Sequence, residues 1–492
     1  MTKFQRWHGV SLVALIFTSC SSGKFSGSNA HTTKSPEETA AKQLSDKARF
    51  EIHEEVLESD GIKHQLETIA ILGTNDIHGA LAAQELKTRE AGSAEGQPYS
   101  RGGAAVFASH VKRLKSQFKT NLILLDGGDE FQGSLESNLQ EGAPVVKFLN
   151  TLGIHAAAIG NHEFDFGPVG LPGTEAANSD RLGALKARML EAKYNYLAAN
   201  VVDKKSHALP AFPNTYTHRV YLIGSLKVGV LGLSTLQTPT TTFPVNVQSL
   251  EFTPLKEATI REAQKLREEG AQIIVITAHV GLFCSPGKMY SGHTLRKESD
   301  AQGSCSSQDE MVQLLNALPK GTVDAVVAGH SHQIIHHYIK GVPVIQGGTR
   351  LVAYNLIYLT YDKTSGKLLT DRTRIEGPVP VCEKVFENQG DCNGDRMAPA
   401  EGRGKLVTPR FHGTKITPDS EMEALLKPDF DKTEIEKKRV VGEAVTAIDH
   451  IRTEESPMGN LITDAMRADS KTDIAFANPG GIRASIEQGP IT

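Results

Sequence analysis

An α/β sandwich is the fold this sequence predicts, and three features carry the prediction. Short apolar runs alternate with stretches of helical spacing from about residue 66 onward, the pattern that builds sheets covered by helices. The chain has 492 residues and is 39% hydrophobic, enough for two or three packed domains. Metal-type side chains stand where successive strand runs end, the place where α/β proteins gather their functional loops.

The elements follow in order. Residues 21–65, rich in Ser, Thr, Lys and Glu, read as a polar tether with a marginal helix. Residues 68–74 are apolar and strand-like, 103–118 have helical spacing, and 121–126 return to a strand. A helix at 143–152 and a strand at 155–159 come next, then a strand at 227–234, a helix at 255–269 and a strand at 272–277. Residues 311–318 and 324–328 repeat helix and strand, and 343–361 reads as a run of strands. The region 363–439, rich in charge and Pro, is expected to link domains, with a further segment over 440–492.

Lys and Arg number 53 against 57 Asp and Glu, a formal charge of −4 with no basic stripe, so nucleic acid is not an expected partner. No apolar run reaches the roughly 20 residues of a spanning helix. The short one at the N-terminus reads as an export signal over 1–20, with Lys3 and Arg6 ahead of apolar residues 10–17. Phe17-Thr18-Ser19-Cys20, followed by Ser21, Ser22 and Gly23, resembles a bacterial lipoprotein signal whose Cys is acylated. An ordinary secretory signal with an incidental Cys is the alternative. Either places the protein in a bacterial periplasm or cell envelope, meeting the membrane only through a lipid anchor on Cys20.

Without Cys20 the cysteines are Cys284, Cys305, Cys382 and Cys392, an even number suited to an oxidising compartment. Local pairs, 284 with 305 and 382 with 392, are expected, each bracing a polar insertion. Separations of 21 and 10 residues do not fit the usual zinc knuckles, so a Cys-type zinc site is disfavoured.

Five strand-end loops concentrate the chemistry: Asp76-Ile77-His78, Asp129, the run from Asn161 to Asp165, His279, and His330-Ser331-His332. Residues at i and i+2 leave a strand on one side, so an Asp and a His so spaced reach one ion. Asp, Asn and His without Cys suit Mn²⁺, Zn²⁺, Fe, Co²⁺ or Mg²⁺. Each piece alone is weak, because a lone Asp-x-His is usually a surface turn and a lone His-Ser-His a solvated loop; the ordered set is the signal. His155, His218, His336 and His337 are given structural or solvent-facing places.

With these motifs in place, the chain resembles the calcineurin-like metallophosphoesterases. Within them it is similar to the 5′-nucleotidase family, of the bacterial periplasmic 5′-nucleotidase and UDP-sugar hydrolase type. The matching runs are Gly73 to Gly79, Gly128-Asp129 with Gly133-Ser134, Gly160 to Asp165, His279 with Gly281, and Gly329 to His332. The resemblance implies a four-layer αββα sandwich over 66–362 and the beginning of the family's C-terminal α/β domain over 440–492. It implies two divalent ions: Asp76, His78, Asp129 and His332 on one, and Asp129, Asn161, His279 and His330 on the other. It further implies in-line attack on phosphorus by metal-bound hydroxide, with His162, oriented by Asp165, stabilising the phosphate or protonating the leaving group. Within 440–492, Met458 to Met466 and Asn478-Pro479-Gly480-Gly481-Ile482-Arg483 match the family, making Arg452, Asn478 and Arg483, with Asn161, candidate substrate contacts. Taken alone, the arginines would read as surface ion-pair partners.

The implied activity is removal of the 5′-phosphate from a nucleotide such as AMP, in nucleotide salvage. A nucleotide-sugar or 2′,3′-cyclic-nucleotide phosphodiesterase, a thiosulfohydrolase, or a binding protein without turnover are the alternatives. The chain stops at Thr492, ahead of the base-stacking residues of the family's C-terminal domain, so impaired nucleotide selection is expected. Ala278 replaces a common hydroxyl residue before His279, and residues 81–100 and 283–308 read as insertions near the site. Gly127-Gly128-Asp129-Glu130-Phe131 also spells the signature of diguanylate cyclases, but export and the other metal loops argue against that reading.

Overall fold

In the computed structural model, strand β1 (Glu54–Ser59) turns at Gly61, whose φ of 71° suits glycine, into β2 (Ile62–Thr74). The structure describes residues 54–59, 61–88, 96–170, 179–285, 294–300, 305–394, 400–478, 482 and 484–492. The expected export signal, Cys20, tether residues 21–53 and Arg483 lie outside them.

The larger sheet continues with β3 (Leu122–Asp126), β4 (Ala156–Ala158), β5 (Asn195–Leu197) and β6 (Thr215–Tyr216), all parallel to β2. The second sheet holds β7 (His218–Ile223), β8 (Leu226–Ser234) and β9 (Ile273–His279). Strand β10 (Thr294–Arg296) lies at the far edge of the first sheet, whereas β11 (Ala325–Val327), β12 (Ile334–Ile339) and β13 (Val342–Gly347) complete the second. Strands β14 (Ala353–Asp362), β15 (Lys367–Leu368) and β16 (Arg374–Pro380) return to the first sheet, β14 antiparallel to β2.

Alternation along β2 shows how the layers arise. Ile69 and Ile71 enter a core between the sheets with Ile123, Val228, Val275 and Ile345. Ala70 and Leu72 face the opposite way, into a core shared with helices α1 (Ala104–Phe118) and α2 (Ala143–Leu152). Ile274 and Ile276 of β9 face α4 (Leu255–Glu268) and α5 (Glu310–Ala317), which follow the shorter α3 (Gly183–Glu191). Helix, sheet, sheet and helix make the expected four-layer sandwich. Among the described residues no helix is long and apolar enough to cross a membrane. Cys284 pairs with Cys305 and Cys382 with Cys392, as the spacing suggested.

Two boundaries differ from the sequence reading. Strands begin at Glu54 and Ile62 rather than near Leu66, because β1 and the start of β2 form a solvated hairpin whose polar composition imitates a tether. The expected linker at 363–439 supplies β16 to the larger sheet and α6 (Ser420–Lys437) to the helix layer, where Met422 and Leu426 are buried. Most of the charge of those elements is exposed, while Glu376 of β16 and Asp429 of α6 are buried. Farther on, β17 (Gly442–Ala444) pairs antiparallel with β18 (Gly489–Ile491), and the intervening α7 (Pro457–Ser470) has no buried residue.

Candidate metal centre

The donors collect at the C-terminal ends of β2, β3, β4, β9 and β11, in loops bonded directly to one another. Asp76 N donates to Gly128 O at 2.9 Å, His78 N to Asp129 O at 3.0 Å, and His330 N to the Asp76 carboxylate at 3.0 and 3.1 Å. Asp76, His78, Asp129, His330 and His332 all have positive φ, from 49° to 77°. Such conformations cost of order 1–3 kcal/mol each and persist where the surroundings impose them, as at functional sites. Glycines allow the close approach: a Cβ on Gly128, itself at φ 85°, would lie 2.8 Å from Gly160 N.

Asp76, His78, Asp129 and His332 bring ligand atoms within 4.8 Å of one another. His78 Nδ1 donates to Gln132 O at 2.7 Å, which leaves Nε2 facing His332 Nε2 at 2.9 Å and Asp129 Oδ2 at 3.7 Å. The other donors meet at His279, which is fully buried. Its Nδ1 donates to Gly127 O at 2.9 Å, so Nε2 is the atom that meets Asn161 Oδ1 at 3.0 Å, Asp129 Oδ2 at 3.1 Å and His330 Nδ1 at 3.1 Å. Asn161 Nδ2 donates to Thr241 O at 3.1 Å, which fixes the amide oxygen toward the cluster.

These donor sets fit cations. One proton on His279 Nε2 cannot serve three surrounding acceptor atoms, whereas a divalent ion can. Burial lowers the affinity of His279 for a proton, but the Asp129 charge and hydrogen bond outweigh it and hold the ring up at about 10. A bound cation would displace that proton. Burial and the His279 charge hold His330 down at about 4, a neutral ligand. Asp129, buried yet facing His279 and His78, is held well below the usual carboxylate range and stands between both sets.

His162 lies beside this cluster, its ring centroid 5.2 Å from that of His78. Its Nδ1 is 2.5 Å from Asp165 Oδ2, and Thr242 Oγ1 donates to Asp165 Oδ1 at 2.7 Å. Burial opposes the charged ring, but the bond to Asp165 and the charge on Asp129 raise it to about 9. A cavity of about 790 Å³ lined by Gln132, Leu135, Asp165, Phe243 and Asn246 opens beside the pair, within the range of ligand pockets.

The sequence reading gave no role to Glu163, although its buried carboxylate fastens the loops. Oε2 accepts from Asp129 N at 2.9 Å and Gly160 N at 2.6 Å, and Oε1 from Glu130 N at 2.6 Å. Asp126, missed as well, accepts from Gly128 N at 2.8 Å and Thr74 Oγ1 at 2.7 Å. The acidic residue after the Asn-His pair was the available signal for Glu163; nothing local marks Asp126. Arg452 and Asn478 are exposed on the C-terminal segment. The Gly-Gly-Asp-Glu-Phe run follows β3 as a loop with Glu130 and Phe131 fully buried, not a hairpin between strands.

Comparison with known proteins agrees with this fold. The calcineurin-like phosphoesterase profile matches residues 69–334, and that of the 5′-nucleotidase C-terminal domain matches 436–492. Endonuclease YhcR of Bacillus subtilis is 25% identical over 441 residues, covering 86% of this chain and 30% of its own. Snake venom 5′-nucleotidase of Gloydius brevicauda is 34% identical over 215 residues, 44% of this chain and 33% of its own. The chain thus spans about a third of each of these relatives. The crystal structure of a 5′-nucleotidase precursor from Thermus thermophilus shares the fold, with a TM-score of 0.57 at 24% identity, over 86% of this chain and 72% of that one.

Proposed function

The chain belongs to the calcineurin-like phosphoesterase family, and on that premise we propose that it is an exported dimetal phosphohydrolase removing the 5′-phosphate of nucleotides. The observation that carries the reading is the Asp129 carboxylate, whose Oδ2 lies 3.1 Å from His279 Nε2 and 3.7 Å from His78 Nε2. Asp76, His78, Asp129 and His332 would hold one divalent ion, and Asp129, Asn161, His279 and His330 the other. Two such ions supply Lewis acidity toward phosphoryl oxygens and lower the pKa of water.

This chain's own groups do the rest. His162, cationic through its bond to Asp165, faces the phosphoryl position, offsets negative charge there and gives its proton to the departing alkoxide. Glu163 keeps the Asp129 and Asn161 loops at fixed spacing. Arg452, Asn478 and Arg483 are the proposed contacts to the rest of the nucleotide, Arg through bidentate bonds to phosphate. The match of 436–492 to the 5′-nucleotidase C-terminal domain and the snake venom relative support a nucleotide substrate. The N-terminal charge and apolar pattern supports export.

The test is phosphate release from AMP by the purified chain with Mn²⁺ and then with a chelator, beside a small activated phosphodiester. Chelator-sensitive release from AMP is expected. Turnover of the activated ester alone would refute nucleotide selectivity, and turnover of neither by folded, manganese-loaded protein would refute the enzyme reading.

A further inference from the structure

The two segments that leave the metal centre after His279 and His332 meet again at a second group of ligand-type side chains. Cys284 follows β9, and His337 lies in β12, the strand that starts just after His332. The sulfurs of Cys284 and Cys305 and a ring nitrogen of His337 lie within 4.8 Å of one another. The two cysteines are joined as a disulfide across an isolated antiparallel bridge. His337 is buried at 4% exposure, and burial followed by the Arg296 charge lowers its proton affinity, so the ring is a neutral donor at pH 7.

We propose that reduction of the Cys284–Cys305 disulfide converts this cluster into a site for a thiolate-accepting divalent cation, Zn²⁺ in its commonest form, held by both cysteines and His337 with water as fourth ligand. Two cysteines, one histidine and an open position match a known zinc geometry, with sulfurs about 3.7 Å apart for bonds of about 2.3 Å. A bonded sulfur pair is too close for that arrangement, so the cation enters only after the bond breaks. Two thiol groups of a reductant supply two electrons and two protons, the Sγ–Sγ bond breaks to give two cysteine thiols, and the reductant leaves as its own disulfide. Cation binding then releases both thiol protons to water. The disulfide lies wholly within the segment that follows His279, whereas the cation would also take His337 and so tie that segment to β12, the strand after His332.

Cobalt(II) titration of the full chain, oxidised and after reduction by a phosphine, tests this. Thiolate-to-cobalt charge-transfer absorption marks the new site and is not produced by the Asp/His cluster. One such cobalt per reduced chain is expected, with none in oxidised protein, none in reduced Cys284→Ser, and affinity tenfold weaker or more in reduced His337→Gln. Reduced His337→Cys, with a third thiolate, should absorb more strongly. Absence of the band in reduced wild type, its persistence in Cys284→Ser, or an unchanged band in both His337 variants would overturn the proposal.

Discussion

Replacing Asp165 by Asn separates the proton-transfer role of His162 from metal binding. Asp165 accepts from His162 Nδ1 at 2.5 Å and is held by Thr242, and His162 is raised from 6.5 to about 9. If Asp165→Asn returned the ring to its ordinary value, the change of about 2.5 units would correspond to about 3 kcal/mol, an upper bound because Asp129 supplies part of the shift. At pH 7.5 a ring titrating near 9 is almost fully cationic, and one titrating near 6.5 is only about a tenth so. The kcat for AMP should fall about ten- to a hundredfold, with the basic limb of its pH profile displaced downward and bound metal unchanged. An ester whose leaving group departs as a stable anion needs no proton and should lose only the part owed to the His162 charge, at least about threefold less than AMP loses. Equal losses on both esters, or an unaltered pH profile, would refute the proton-transfer role of His162.

Two other substitutions probe the scaffold. Glu163→Gln offers one oxygen where three backbone N–H groups now find two, so at least one buried donor loses its acceptor. Urea unfolding should show a loss of about 1–3 kcal/mol, and metal titration an affinity weaker by about tenfold; unchanged values in both would contradict the fastening role. Glu262 is buried, and hydrogen bonds from His218, Arg261 and Thr217 outweigh that burial and lower it from 4.5 to about 2. Its folded value lies below its unfolded one, so the stability it contributes, at most about 3 kcal/mol, is in place above pH 4.5 and lost as pH falls toward 2. Glu262→Gln should therefore be less stable than wild type at pH 6, with the gap in urea midpoints narrowing by about half at pH 3 and closing near pH 2; a constant gap would show that the carboxylate charge is not the cause.

Much of this molecule is legible in the chain because its signals are local. Helix α2 begins and ends where expected because Gly142 and Gly153 take left-handed conformations at its ends and Pro144 stands in its first turn. Residues 68–74 of β2, with β3 and β9, are largely apolar runs, since both faces of each sheet are covered there. The ligand residues fall at the ends of those strands, so their order along the chain foretold their convergence. What escaped depends on long-range partners. Strand β16 reads as charged linker because its burial comes from β14 and β10, and the β1–β2 hairpin reads as tether because it is solvated. His337 has no local mark at all; only the meeting of β12 with the 284–305 bridge brings it to the sulfurs.

The central claim is a pair of ions sharing Asp129, and a crystal of manganese-loaded protein analysed by anomalous scattering tests it most directly. Two peaks about 3.5–4 Å apart, one on each side of the Asp129 carboxylate, are predicted, and both should vanish in Asp129→Ala. A single ion in wild type, or two ions retained in Asp129→Ala, would contradict the account.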